Sequence, residues 1–121
     1  MTPAQEARAK ELIDKQIAMT GQTLDALRAA GLTDDKQIQL DFFFVAPDET
    51  AAKALISHLQ DNDCLNLSSE KVGGFLSRKW VVKGQTHPTQ VTVQVLAQWL
   101  PWMVVQGITR GCEFDGWGAE V

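Results

Sequence analysis

Between Gln37 and Val45 the chain alternates, with Ile38, Leu40, Phe42 and Phe44 on one side and Gln39, Asp41, Phe43 and Val45 on the other. That two-residue period predicts a strand, apolar on both faces toward its end and therefore central in a sheet. Pro47 and Asp48 stop it, and Asp48 is placed to cap a helix whose apolar stripe is Ala51, Ala52, Leu55, Ile56 and Leu59. The helix dissolves into Asp61, Asn62 and Asp63, after which Cys64 to Leu67 reads as a short strand and Ser68 to Gly74 as a polar turn. From Phe75 to Lys83 a third strand is expected, with Trp80 and Val82 on one face and Lys79, Val81 and Lys83 on the other. Beyond Thr92, Val95, Leu96, Trp99, Leu100, Trp102, Met103 and Val104 recur at helical steps to Ile108. Pro101 removes one bond inside that helix and predicts a kink. Val91, Val93 and Val95 also alternate as a strand would, so the start of the helix is ambiguous. Gly111 closes it, and Glu113 and Phe114 form a last strand that enters an Asp115-Gly116 turn with Trp117 packed just beyond.

The amino terminus has a different pattern. Thr2, Pro3, Ala4 and Gln5 make a capping-box start, and Leu12, Ile13, Ile17 and Met19 keep an approximate helical period to residue 20. Gly21 interrupts it, and a second piece from Thr23 carries Leu24, Leu27 and Ala30 before Gly31. Residues 1–31 are thus expected to be a helical appendage, folded as a hairpin, on a domain spanning 32–121.

The order within that domain is strand, helix, strand, strand, helix, strand. This predicts an α+β protein with a ferredoxin-like β-α-β-β-α-β sandwich built on a four-stranded antiparallel sheet. Right-handed crossovers place the first and third strands in the centre, the second and fourth at the edges, and both helices on one face. Cys64 and Cys112 then lie on opposite edges, roughly 14 Å apart at about 4.8 Å per strand, too far for a disulfide.

Composition narrows the chemistry. The 121 residues hold 45% hydrophobic and 21% charged side chains, as a folded domain does. Eleven Lys and Arg against fifteen Asp and Glu give a net charge of −4, which repels a phosphate backbone and argues against nucleic acid as a direct partner. The polar amino terminus is unlike a secretory signal, and no apolar run is long enough to span a bilayer, so the expected location is the cytoplasm, away from the membrane. His58 and His87 have no Ser, Cys or Asp at triad spacing, and no serine elbow occurs. The two cysteines are too few for a paired metal site and read as small apolar residues. Lys71-Val72-Gly73-Gly74 lacks the ending of a phosphate loop and reads as a hairpin connection. Asp34, Asp35, Asp48, Glu49, Asp61 and Asp63 fall at helix ends and turns, where capping is their work. No catalytic residue, metal or cofactor is expected.

The face of the sheet away from the two helices is more informative. Alternation assigns it Asp41, Phe43, Lys79, Val81 and Lys83, with Glu113 and Asp115 on the edge strand, and Asp41 is expected to pair with Lys79 or Lys83. A half-apolar face needs a cover. The simplest one is the amino-terminal helical piece; the functional alternatives are a protein partner or a second copy of the chain. Trp99, Trp102 and Met103 pose the same choice, because an exposed Trp marks an interaction site.

Leu40, Asp41, Phe42, Phe43 and Phe44 before a capped helix, Trp80 and Val82, and above all the terminal Glu113, Phe114, Asp115, Gly116 and Trp117 resemble the regulator of ribonuclease E activity B family. The resemblance runs from about residue 33 to 121, and the Asp-Gly-Trp ending is its most specific part. It implies a ferredoxin-like fold and a cytoplasmic, non-enzymatic protein that binds an endoribonuclease and modulates RNA decay by protein contact. Asp41, Phe43, Lys79, Val81 and Lys83 are the expected contact surface, while Asp115 and Trp117 mainly fix the last strand. The rival expectation is a homodimeric structural or immunity-like protein with a different partner.

Overall fold

The computed structural model describes residues 1–74 and 79–121. The chain opens with helix α1 (Pro3–Ala29), capped at Thr2, whose hydroxyl accepts from the Gln5 amide while the Gln5 side chain returns to the Thr2 amide. Strand β1 (Gln37–Ile38) and strand β2 (Asp41–Ala46) follow, then helix α2 (Glu49–Asp61), capped by the Asp48 carboxylate on the Ala51 amide. Strands β3 (Leu65–Lys71), β4 (Trp80–Gln85) and β5 (Thr89–Gln90) lead to helix α3 (Val93–Ile108), capped by Thr92, and strand β6 (Glu113–Gly118) ends the fold. The four longer strands form one antiparallel sheet in the order β3-β4-β2-β6, and β1 and β5 form a separate two-stranded sheet. The phenylalanine-rich strand is therefore central, with β3 and β6 at the edges.

One face of this sheet is the core. Phe42, Phe44, Ala46, Val82 and Phe114 are buried against Ala52, Leu55 and Leu59 of α2 and Leu96, Leu100, Met103 and Val104 of α3. The rings pack edge to face, Phe44 on Phe114 at 5.2 Å and Trp99 on Phe114 at 5.9 Å, so one aromatic cluster ties β2, β6 and α3 together. Two glycines permit this closeness. A Cβ on Gly84 would stand 2.5 Å from the Phe42 ring, and one on Gly107 would stand 2.8 Å from Phe44.

Four expectations are corrected. Residues 1–31 are not a hairpin: α1 runs through Gly21 as a single helix of 27 residues, about 40 Å long. A lone glycine costs a helix only about 1 kcal/mol, which tertiary packing on both sides outweighs. The buried stripe of α1 is Ala9, Leu12, Gln16, Thr20, Leu24 and Leu27, whereas Ile17 and Met19 are exposed. Two polar members hid this stripe from a count of apolar residues. The expected strand from Gln37 is broken at Gln39 and Leu40, where the Leu40 amide donates to the Thr86 hydroxyl and its carbonyl accepts from the Thr86 amide. Ser68 to Lys71, expected as turn, extend β3, and the Val72 amide closes the hairpin onto the Lys79 carbonyl. The third strand begins at Trp80; the expected extension over residues 75–78 lies outside the described residues. Finally, Asp115-Gly116 is not a turn but an irregularity inside β6: Phe43 pairs with Gly116 and Phe44 with Phe114, leaving Asp115 as the extra residue of a β-bulge. α3 continues through Pro101 to Ile108.

Candidate interaction surface

Helix α1 does not cover the outer face of the sheet. It packs antiparallel along α3 and against β6, with Gln5 donating to the Ile108 carbonyl near its start and Ile17, Thr20 and Leu24 beside Val93, Leu96 and Leu100 farther on. The expectation that the appendage closes the open face is thereby overturned. Leu12, Leu24 and Leu27 find apolar surface beside α3 instead, where the helical layer would otherwise end.

The uncovered face is set by the register. Phe43 lies opposite Lys83, Val45 opposite Val81, and Asp41 opposite Gln85. All of Asp41, Phe43, Val45 and Val81 are half-buried, and Phe43, Val45 and Val81 stand outside the hydrophobic core. The strip of Phe43, Val45 and Val81 is thus left half-buried, with no described helix packed on it and with charged side chains at its flanks.

The charge pairing differs from the expected one. Asp41 does not meet a lysine: its Oδ1 accepts from Gln85 Nε2 at 2.7 Å, and Gln85 Oε1 in turn accepts from Asn66 Nδ2 at 2.6 Å. Lys83 Nζ reaches Glu70 Oε1 on β3 at 3.2 Å. The reason is the register, which puts Gln85 across from Asp41 and leaves Lys83 facing the next strand. Lys79 precedes β4 at the opposite end, lining a shallow hollow with Val45, Pro47 and Glu113. Asp41, Phe43, Lys79, Val81 and Lys83 therefore share one face, with Asp41 and Lys79 at its two ends.

On the edge strand the motif residues divide. Phe114 is buried in the core, and Trp117 faces the same side as Phe42 and donates its indole N–H to Thr20 Oγ1 of α1 at 3.2 Å. Glu113 is held by a two-point bond from Arg8, Nε to Oε2 at 2.7 Å and Nη2 to Oε1 at 2.8 Å. Asp115 is exposed, and no side-chain hydrogen bond is found for it among the described residues, so it owes its place to the bulge and not to a turn. Trp117, by its bond to Thr20, links the end of β6 to α1. Neither Arg8 nor Thr20 was singled out in the sequence; they stand about a hundred positions from their partners, and no local pattern connects them.

Arg8 holds the Glu113 carboxyl below its ordinary value of 4.5, first through the hydrogen bond and then through charge. A carboxylate with a depressed folded value stabilises the protein above the unfolded value and loses that contribution as pH falls through the folded one. Both side chains are nearly half exposed, so water and salt screen the effect. In thermal melts, the advantage of the wild type over Glu113→Gln is expected to be small at neutral pH and low salt and to vanish as pH falls through the acid range. An advantage that grows on acidification contradicts the pairing.

The Cys112 thiol is buried and pushed up to about 11 by desolvation, and Cys64 is raised by the same cause, so both are protonated near neutrality. His58 Nε2 meets Gln106 Oε1 at 2.6 Å and ties α2 to α3, and His87 is exposed in the loop before Pro88. No group of three metal-ligating side chains occurs among the described residues. No described helix is long and apolar enough to cross a membrane. Comparison with protein-family models and with curated proteins finds no match for the chain.

Proposed function

We propose that the protein is a ferredoxin-like binding module that regulates an endoribonuclease of the ribonuclease E type, using the open sheet face as its contact surface and working in the cytoplasm without a catalytic centre of its own. One observation carries this reading: Phe43, Val45 and Val81 form an apolar strip that no helix covers, bordered by Asp41, Lys83 and Glu70 at hydrogen-bonded positions. An apolar centre within a charged rim is the anatomy of a protein contact. The strand order β3-β4-β2-β6 with two helices on one face supports the ferredoxin-like description, and the ending Glu113 to Trp117 supports the family resemblance.

The test is direct. Added in molar excess to purified ribonuclease E, the protein is expected to slow cleavage of a short single-stranded RNA substrate and to migrate with the enzyme in size-exclusion chromatography. Unchanged cleavage with no co-migration rejects the reading. A stable dimer in analytical sedimentation whose contacts bury Phe43 favours the homodimeric alternative, because that face is then already occupied.

A further inference from the structure

A cavity of about 320 Å³ opens at the end of the helical layer, between the carboxyl end of α2 and the amino-terminal half of α3. Leu40, Val95, Trp99 and Trp102 make its apolar wall, and Asn62, Asp63 and His87 stand on its polar rim beside the Cys64 thiol. It shares no residue with the open sheet face. The volume is that of a small-molecule site, and an apolar wall with a few convergent polar groups is the usual composition of one.

Three features select the ligand's charge. Trp102 is 37% exposed, and its neighbour Trp99 is held in place by edge-to-face contacts with Phe42 and Phe114. Indole faces attract cations as well as apolar groups. The rim begins at Asn62, the cap residue of α2, and so lies at the negative end of that helix's dipole. Asp63 adds a full negative charge there, in an ordered left-handed conformation at φ 65°, and no lysine or arginine lines the cavity. Among the described residues its carboxylate has no ion-pair partner.

We infer that this cavity binds a small organic ammonium compound, its alkyl or aromatic body against Trp99, Trp102, Leu40 and Val95 and its cationic nitrogen toward Asp63 and the end of α2. Anionic ligands are disfavoured by both sources of negative potential.

Titration with benzyltrimethylammonium, benzyl alcohol and phenylacetate, followed by two-dimensional ¹⁵N NMR, tests this. Benzyltrimethylammonium is expected to give saturable shifts at the Trp102 indole N–H and the Cys64 amide, and to bind about tenfold or more tighter than phenylacetate. Asp63→Asn, which tolerates the same backbone conformation, is expected to weaken that binding severalfold while leaving the spectrum dispersed. Trp102→Leu is expected to weaken the binding of benzyltrimethylammonium severalfold. Absence of saturable shifts at the cavity overturns the inference, as does equal affinity for the cation and the anion. Should Asp63→Asn not fold, the ranking of the three probes on the wild type decides the matter alone.

Discussion

Phe44→Ala is expected to lower the unfolding free energy by about 3–5 kcal/mol, a large fraction of the total stability of an ordinary domain. Phe44 has no exposed surface and lies at the centre of the sheet, between Val82 of β4 and Phe114 of β6. Its ring meets Phe42 at 5.9 Å and Phe114 at 5.2 Å, both edge to face, contacts worth more than the area they bury. Gly107 of α3 lies so close to this ring that any side chain there would collide with it. With helix backbone on one side and two strands on the other, the surroundings cannot collapse readily into the space vacated, so the cavity cost adds to the transfer cost. Urea unfolding followed by circular dichroism reads the loss as a lowered midpoint at unchanged slope. A loss below about 1.5 kcal/mol would mean that the ring is not the keystone its packing indicates.

Phe43→Asp, one residue away, is expected to do the reverse: to leave the unfolding free energy within about 1 kcal/mol and to weaken binding to the proposed ribonuclease partner by about thirtyfold or more. The side chains of adjacent strand residues point to opposite faces, so Phe43 leaves the core undisturbed and stands in the open strip between Lys83 and Gly116. An apolar side chain at the centre of a contact carries much of its energy, and a carboxylate there must be desolvated without a partner, since the nearby Lys83 is engaged by Glu70. Isothermal calorimetry gives the affinity and a thermal melt the stability. Wild-type affinity in a folded Phe43→Asp protein would remove the sheet face from the proposed function. The two substitutions thus separate the fold from the surface at neighbouring positions of one strand.

These positions also mark how far the residues could be read unaided. Ile38, Leu40, Phe42 and Phe44 were assigned to one side by alternation alone, and all four are buried. Asp48 and Thr92 were recognisable as caps because their work is done within three residues of themselves. The shared face of Asp41, Phe43, Lys79, Val81 and Lys83 followed from the same two-residue period. Their pairings did not, because period assigns a side and not a register: Gln85 rather than a lysine faces Asp41, and Lys83 turns to Glu70.

Local periodicity and capping chemistry therefore determined the main elements, the central place of the phenylalanine strand and the composition of its outer face, since each depends on neighbours a few residues away. Only the tertiary structure decided where α1 lies, that Gly21 does not break it, that Asp115-Gly116 is a bulge, and that Trp102 and Asp63 line one cavity. The reason is the range of the contacts involved. Arg8 with Glu113 and Thr20 with Trp117 join residues about a hundred positions apart, and their preference for one another exists only after the sheet has formed and left β6 as the edge for α1 to meet.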